Sequence, residues 1–246
     1  MRALFLGLWV AGLLGCAAPA PAPLSDQQAA QAARANTDLA IHYLQENALP
    51  LASTKIERAL SQNPQLLDAH LVAAEVSVRL NEPQRAERHY RNALDINASS
   101  GAALNNYAAF LCQQNRPTRA LDLWEMAAAN PRYARAAMAL TNAGDCLERA
   151  GRSDQAGIYW RRALDQQATF APALQALAAQ SLSQGQLDSA NAYFSRYTAA
   201  SNETPALLWL GARLAKAQNN AERYARFVQR LRQAFPLSDQ ALQLSE

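Results

Sequence analysis

A recurrence of about 34 residues constrains this chain more than any other feature. A small residue returns at Ala52, Ala86, Ala120, Ala156 and Ala190, at intervals of 34, 34, 36 and 34 residues. Four residues after each comes a large side chain: Ile56, Tyr90, Trp124, Trp160 and Phe194. A further small position follows at Ala59, Ala93, Ala127, Ala163 and Thr198. Upstream of each set lies a pair that reads as the buried face of a preceding helix: Leu39-Ala40, Ala73-Ala74, Tyr107-Ala108, Ala143-Gly144 and Leu177-Ala178. Residues three and four apart share one helix face, so every copy spells two amphipathic helices. The small residues let two helices approach closely, and the large one fills the space between them. Gly144 and Ala156 mark one such approach, with Trp160 as the filler. Gly151 falls in the turn between them, where a residue able to take positive φ is useful.

A two-helix unit of this length resembles the tetratricopeptide repeat. A weaker sixth copy follows the five. Trp209-Leu210-Gly211 and Leu214 supply its first helix, Tyr224, Phe227 and Leu231 its second, and Phe235-Pro236 ends it. Its register slips, as befits a terminal repeat. The expected fold is therefore all-α, a right-handed α-solenoid of about six tetratricopeptide helix pairs. It would span residues 31–236, with 237–246 as a tail or capping helix. Composition agrees: 50% of residues are hydrophobic but only 7% aromatic. Neither the two-residue alternation of strands nor Asn-Gly hairpin turns occur.

The N-terminus reads as a targeting segment. Arg2 precedes an apolar run from Ala3 to Gly12, and Leu13-Leu14-Gly15-Cys16 resembles a bacterial lipobox. Residues 1–15 are then a signal peptide, Cys16 the lipidated first mature residue, and 16–30 an Ala/Pro tether. The resemblance implies three acyl chains, and more than one chain is what stable anchoring requires. Ala17 after the cysteine, rather than an aspartate, implies the outer membrane. Prolines in the stretch AAPAPAPL favour an extended spacer of about 3 Å per residue. The alternatives are a plain signal peptide with an incidental cysteine or an uncleaved anchor. The apolar run is short against a span of about 20 residues.

Two further cysteines, Cys112 and Cys146, stand one repeat apart on first helices. In an oxidising periplasm they form either a disulfide or two buried thiols. First helices line the concave side of such an array. There Ile41, Leu44, Leu71 and Val78 are apolar where packing does not demand it, which suits a groove for a partner segment. Asn105 and Asn106 are candidates to hydrogen-bond a bound backbone, or to be satisfied within their own helix.

Chemistry is otherwise sparse. His42, His70 and His89 read as isolated, and no metal-ligand spacing, phosphate loop or nucleophile elbow occurs. Arg161-Arg162 reads as a solvated face. The net charge of +3 is spread through the helices, so no nucleic-acid stripe is expected. No enzyme activity, cofactor or metal is inferred.

Three segments narrow the resemblance: Leu104-Asn105-Asn106-Tyr107, running on to Phe110-Leu111-Cys112; Thr141-Asn142-Ala143-Gly144-Asp145-Cys146; and Trp209-Leu210-Gly211 with Phe235-Pro236. Together with the lipobox, they make the chain similar to the type IV pilus biogenesis lipoproteins of the PilW/PilF pilotin family. That resemblance implies a protein that binds secretin subunits and carries them by its lipid to the outer membrane, where they multimerise. It also implies lipid on Cys16 and a bridge between Cys112 and Cys146. The alternative is a general periplasmic scaffold for another envelope-assembly or export complex.

Overall fold

The computed structural model describes residues 25–245. Cys16, the lipobox and the first part of the tether lie outside the described residues. Twelve helices form six antiparallel pairs: α1 (Asp26–Gln45) with α2 (Leu49–Gln62), α3 (Leu67–Arg79) with α4 (Pro83–Ile96), α5 (Gly101–Gln113) with α6 (Pro117–Ala129), α7 (Ala136–Arg149) with α8 (Ser153–Gln166), α9 (Ala171–Ser183) with α10 (Leu187–Ala200), and α11 (Pro205–Ala217) with α12 (Ala221–Ala234). A short α13 (Asp239–Leu242) and a 3-10 turn at Gln243–Ser245 follow. No strand occurs among the described residues. The array is a tetratricopeptide-repeat solenoid.

One boundary moves. Residues 26–30, expected in the tether, are already helical. Ser25 caps α1 in a reciprocal box with Gln28, which satisfies two otherwise orphaned backbone groups.

The turn inside each pair repeats one backbone device. Asn47, Asn81, Asn115, Gly151, Gly185 and Asn219 all take positive φ, between 55° and 72°. They fall at intervals of 34, 34, 36, 34 and 34 residues. Asn and Gly are the residues that tolerate this left-handed position at the end of a helix. The next amide closes each turn back on the helix, as Glu82 N–H does on the Ser77 carbonyl at 2.8 Å. The sequence reading singled out Gly151 alone; asparagine fills the same position in four of the six turns.

Between pairs, Asn63, Asn97 and Asn130 each accept from the amide two residues on, at 2.9–3.0 Å. These Asx turns aim each first helix back across the array.

The core follows the repeat. Ala52, Ala86, Ala120, Ala156 and Ala190 are buried beneath Ile56, Tyr90, Trp124, Trp160 and Phe194. A Cβ on Gly144 would sit 2.6 Å from Trp160 Cδ1, so only glycine lets α7 lie against that indole. The Trp160 Nε1–H donates to Asp145 Oδ1 at 2.9 Å, which removes the cost of burying it.

Four expectations need correcting. In the fifth repeat Tyr197, not Thr198, is the inward residue: it follows Phe194 by three residues, as Ala59, Ala93, Ala127 and Ala163 follow their large residues, whereas Thr198 follows by four. Leu39 is 41% exposed, since among the described residues no helix pair precedes α1 to cover it. Arg162 is not simply solvated: it clasps Glu125 of the preceding repeat with two bonds of 2.6 and 2.8 Å and lies over the Tyr159 ring. His70 and His89 are not isolated, for their Nδ1 atoms are 3.1 Å apart.

That histidine pair has a proton-counting consequence. His70 Nε2 lies 2.9 Å from the Pro64 carbonyl, which only accepts, so this nitrogen carries a proton. The Nδ1···Nδ1 contact has room for one proton between two nitrogens. Burial first, then the neighbouring His70, Arg85 and Arg88 charges, push the His89 pKa down from 6.5 to about 4. The folded chain thus binds fewer protons than the unfolded one below the ordinary value.

Two predictions follow from this packing. Gly144→Leu should lower the unfolding free energy by about 1–3 kcal/mol, read by urea denaturation monitored with circular dichroism. The His89 contribution to stability should be complete above pH 6.5 and decline toward pH 4. His89→Asn should therefore flatten the pH dependence of the urea midpoint across that window; parallel profiles would show that the pair does not titrate with unfolding.

Candidate functional site

Successive first helices touch along most of the array, as α1 with α3, α5 with α7, α7 with α9 and α9 with α11. The step from α3 to α5 is looser. Bulky aromatics occupy that junction. Tyr90 lies 5.5 Å from the Tyr107 ring and 5.4 Å from the Phe110 ring, centroid to centroid. The three rings meet between the repeats, and an open cleft of 360 Å³ lies above Tyr90 and Phe110.

Ile41 and Leu44 of α1, Leu71 and Val78 of α3, and Asn106 of α5 line that cleft. Five of the six residues singled out as a partner groove thus stand around one space. Leu44 does so from the edge of the core, only 7% exposed, against the expectation that packing does not need it. Asn105 is not there. It is buried, and its Oδ1 accepts from Trp124 Nε1–H at 3.1 Å and from Asn142 Nδ2 at 3.0 Å. A buried indole N–H needs an acceptor, and Asn105 supplies it while tying α5 to α7. Its Nδ2 donates to Asn106 Oδ1 of the same helix at 3.2 Å, so the reading of satisfaction within its own helix holds for the amide nitrogen while the oxygen is committed to other helices.

The sequence reading missed Val72, Tyr90 and Phe110 as groove lining. The available signal was the crowding of three aromatics at one repeat boundary, where the other boundaries bring fewer together.

A second opening of 490 Å³ continues the groove along α1 and α3, sharing Ile41, Leu71 and Val72. Arg34, Asp38 and Asp68 rim this outer end. On the inner rim Glu75 pairs with Arg79 at 3.1 Å. Burial, reinforced by the Glu75 charge, pushes the Tyr90 phenol far above its ordinary pKa, so it stays neutral. The arrangement is an apolar floor with a charged rim, which fits an apolar peptide face rather than a reacting small molecule. Among the described residues no group of three or more His, Cys, Asp or Glu side chains could hold a metal ion.

Cys112 and Cys146 face each other across α5 and α7, with Cα atoms 6.1 Å apart and sulfurs at bonding distance. Cα atoms at that separation can be bridged without backbone movement. Arg149 Nη2 lies 3.2 Å from Cys112 Sγ. No helix of the described residues is long and apolar enough to cross a membrane.

Fold and groove together define a tetratricopeptide-repeat solenoid protein. No protein-family model matches the chain. It is 26% identical over 238 residues to the type IV pilus assembly protein PilF of Pseudomonas aeruginosa, covering 96% of this chain and 94% of that one. The crystal structure of PilW, described as a widely conserved type IV pilus biogenesis factor, matches with a TM-score of 0.73 at 32% identity, over 88% of this chain and 99% of that one. A Pseudomonas aeruginosa PilF structure shares the fold with a TM-score of 0.72 at 24% identity, over 88% and 98%. The chain belongs to the PilW family of type IV pilus biogenesis factors.

A bridge closing a loop of 34 residues should contribute about 3–4 kcal/mol in the chain-entropy model. Reducing agent should therefore lower the melting temperature of the oxidised protein. The Cys112→Ser/Cys146→Ser variant should melt at the lower temperature with or without reductant.

Proposed function

We propose that this chain is the pilotin of a type IV pilus machine. It holds secretin subunits in the periplasm, and its lipid on Cys16 delivers them to the outer membrane for multimerisation. The observation that carries this reading is the apolar groove formed by Ile41, Leu71, Val78 and Phe110 in the repeats next to the N-terminal anchor. An apolar segment of the secretin lies in it, as an amphipathic segment lies in a groove.

The roles divide physically. The acyl chains supply location, since each buried CH₂ contributes about 0.8 kcal/mol and several chains together anchor stably. The groove supplies recognition. The tether keeps recognition close to the membrane: α1 begins ten residues after Cys16. The bridge between Cys112 and Cys146 fixes α5, the far wall of the groove, to α7.

Leu71→Asp places a charge on the groove floor at a half-buried position. It should reduce secretin binding at least about tenfold, because a charge on that floor loses its water, while the melting temperature stays close to wild type. Cys16→Ala should bind secretin normally in pull-downs yet leave secretin multimers depleted from the outer-membrane fraction. Normal outer-membrane multimers in that variant would sink the pilotin reading. So would co-purification of a barrel-assembly or export component in place of the secretin.

A further inference from the structure

A second cleft, of 610 Å³, opens at the other end of the array. Leu182 of α9, Trp209 of α11 and Tyr224 of α12 form its apolar wall, and Arg213 and Lys216 stand beside them. Arg213 and Lys216 follow Trp209 by four and seven residues, so one helix face presents an indole and two cations in a row. Among the described residues neither cation makes an ion pair. Clustered exposed cations beside an apolar wall attract a segment that carries carboxylates next to an apolar side chain.

The chain itself supplies such a segment. After α12 it turns at Ser238, forms α13, and lays Leu244 into the cleft. The Leu244 carbonyl accepts from Arg232 Nη2 at 3.0 Å. In sequence Ser245-Glu246 follows, so a glutamate stands two residues beyond the seated leucine. This stretch is lightly held. Ala241 is its buried residue, while Leu237 and Leu242 are 88% and 55% exposed. A segment with few buried contacts opens at low cost.

We propose that this C-terminal cleft is a second docking site, for a polypeptide segment in which an apolar residue precedes carboxylates. The chain's own Leu244 occupies it as a tethered competitor. A partner segment enters by displacing Leu244 and setting its carboxylates against Arg213 and Lys216. The proposal is independent of the groove across the first three repeats.

The test uses full-length protein without its lipid and a fluorescent peptide of sequence DQALQLSE, the chain's own residues 239–246. Fluorescence anisotropy should show weak binding to wild type. Leu244→Ser, which empties the cleft, should bind about tenfold more tightly, in line with burial of one leucine side chain. A chain ending at Leu242 should behave the same way and serves as the second variant. Arg213→Glu/Lys216→Glu added to Leu244→Ser should remove at least about five-fold of that affinity, and raised salt should do likewise. Equal affinity of wild type and both opened variants would overturn the competitor role. Binding indifferent to the two charge reversals would overturn the carboxylate role. A wild-type dimer in sedimentation that Leu244→Ser abolishes would show the cleft to be a tail-exchange contact between copies, and would overturn the proposal.

Discussion

The close approach of paired helices is the interaction on which everything else rests. A helix can lie against its partner with one large side chain between them only if the facing positions are nearly bare. Gly144 beneath Trp160 is the extreme case, for a single methyl there would overlap the indole. Ala108, Ala120 and Trp124 repeat the arrangement one unit earlier with a little more room. No pair buries enough surface to stand alone, so each repeat leans on the next. The indole N–H groups show how polar atoms survive in that packing: Asp145 accepts from Trp160 and Asn105 from Trp124. Two residues that look available to a ligand are thereby committed to the scaffold.

The groove arises where this regularity is disturbed. Uniform small-large packing leaves little space between neighbouring first helices. At the junction of the second and third repeats, Tyr90, Tyr107 and Phe110 are too bulky for the same approach. The aliphatic side chains of α1 and α3 there line an opening rather than a seam. Tyr107 is fixed from its other end by donating to Glu87 at 2.8 Å. Glu87 in turn pairs with Arg91 and with Arg116 of the next repeat. The ring cluster is thus held by an ion-pair network rather than by close packing alone. Cys112 and Cys146 sit just beyond it and join α5 to α7.

The two ends of the array differ for the same physical reason. At the N-terminal end no other described helix pair lies beyond α1, so Leu39 stays exposed and the turn of apolar residues that follows opens into the groove. At the C-terminal end the chain folds α13 and Leu244 over α11 and α12. A solenoid needs its terminal hydrophobic faces covered or used, and this chain does one at each end.

The sequence by itself determined the repeat. The intervals of Ala52, Ala86, Ala120, Ala156 and Ala190 fix the helix pairs, because helical geometry ties spacing to face without reference to distant residues. The aliphatic positions Ile41, Leu71 and Val78 were legible for the same reason: apolar side chains on a face where packing does not call for them. The tertiary structure alone decided what those residues share. Asn105 and Asn106 are adjacent and chemically identical, yet one is bonded to a buried indole and the other faces the groove, a distinction of 100° around a helix that composition does not carry. His70 and His89, nineteen residues apart, become partners only when α3 lies along α4. The groove needs three aromatics from two repeats to meet, and the C-terminal cleft needs α13 and Leu244 to return to α11. Contacts between distant segments depend on how far each helix pair rotates against the next, and that angle is set by the volume of every side chain at the junction together.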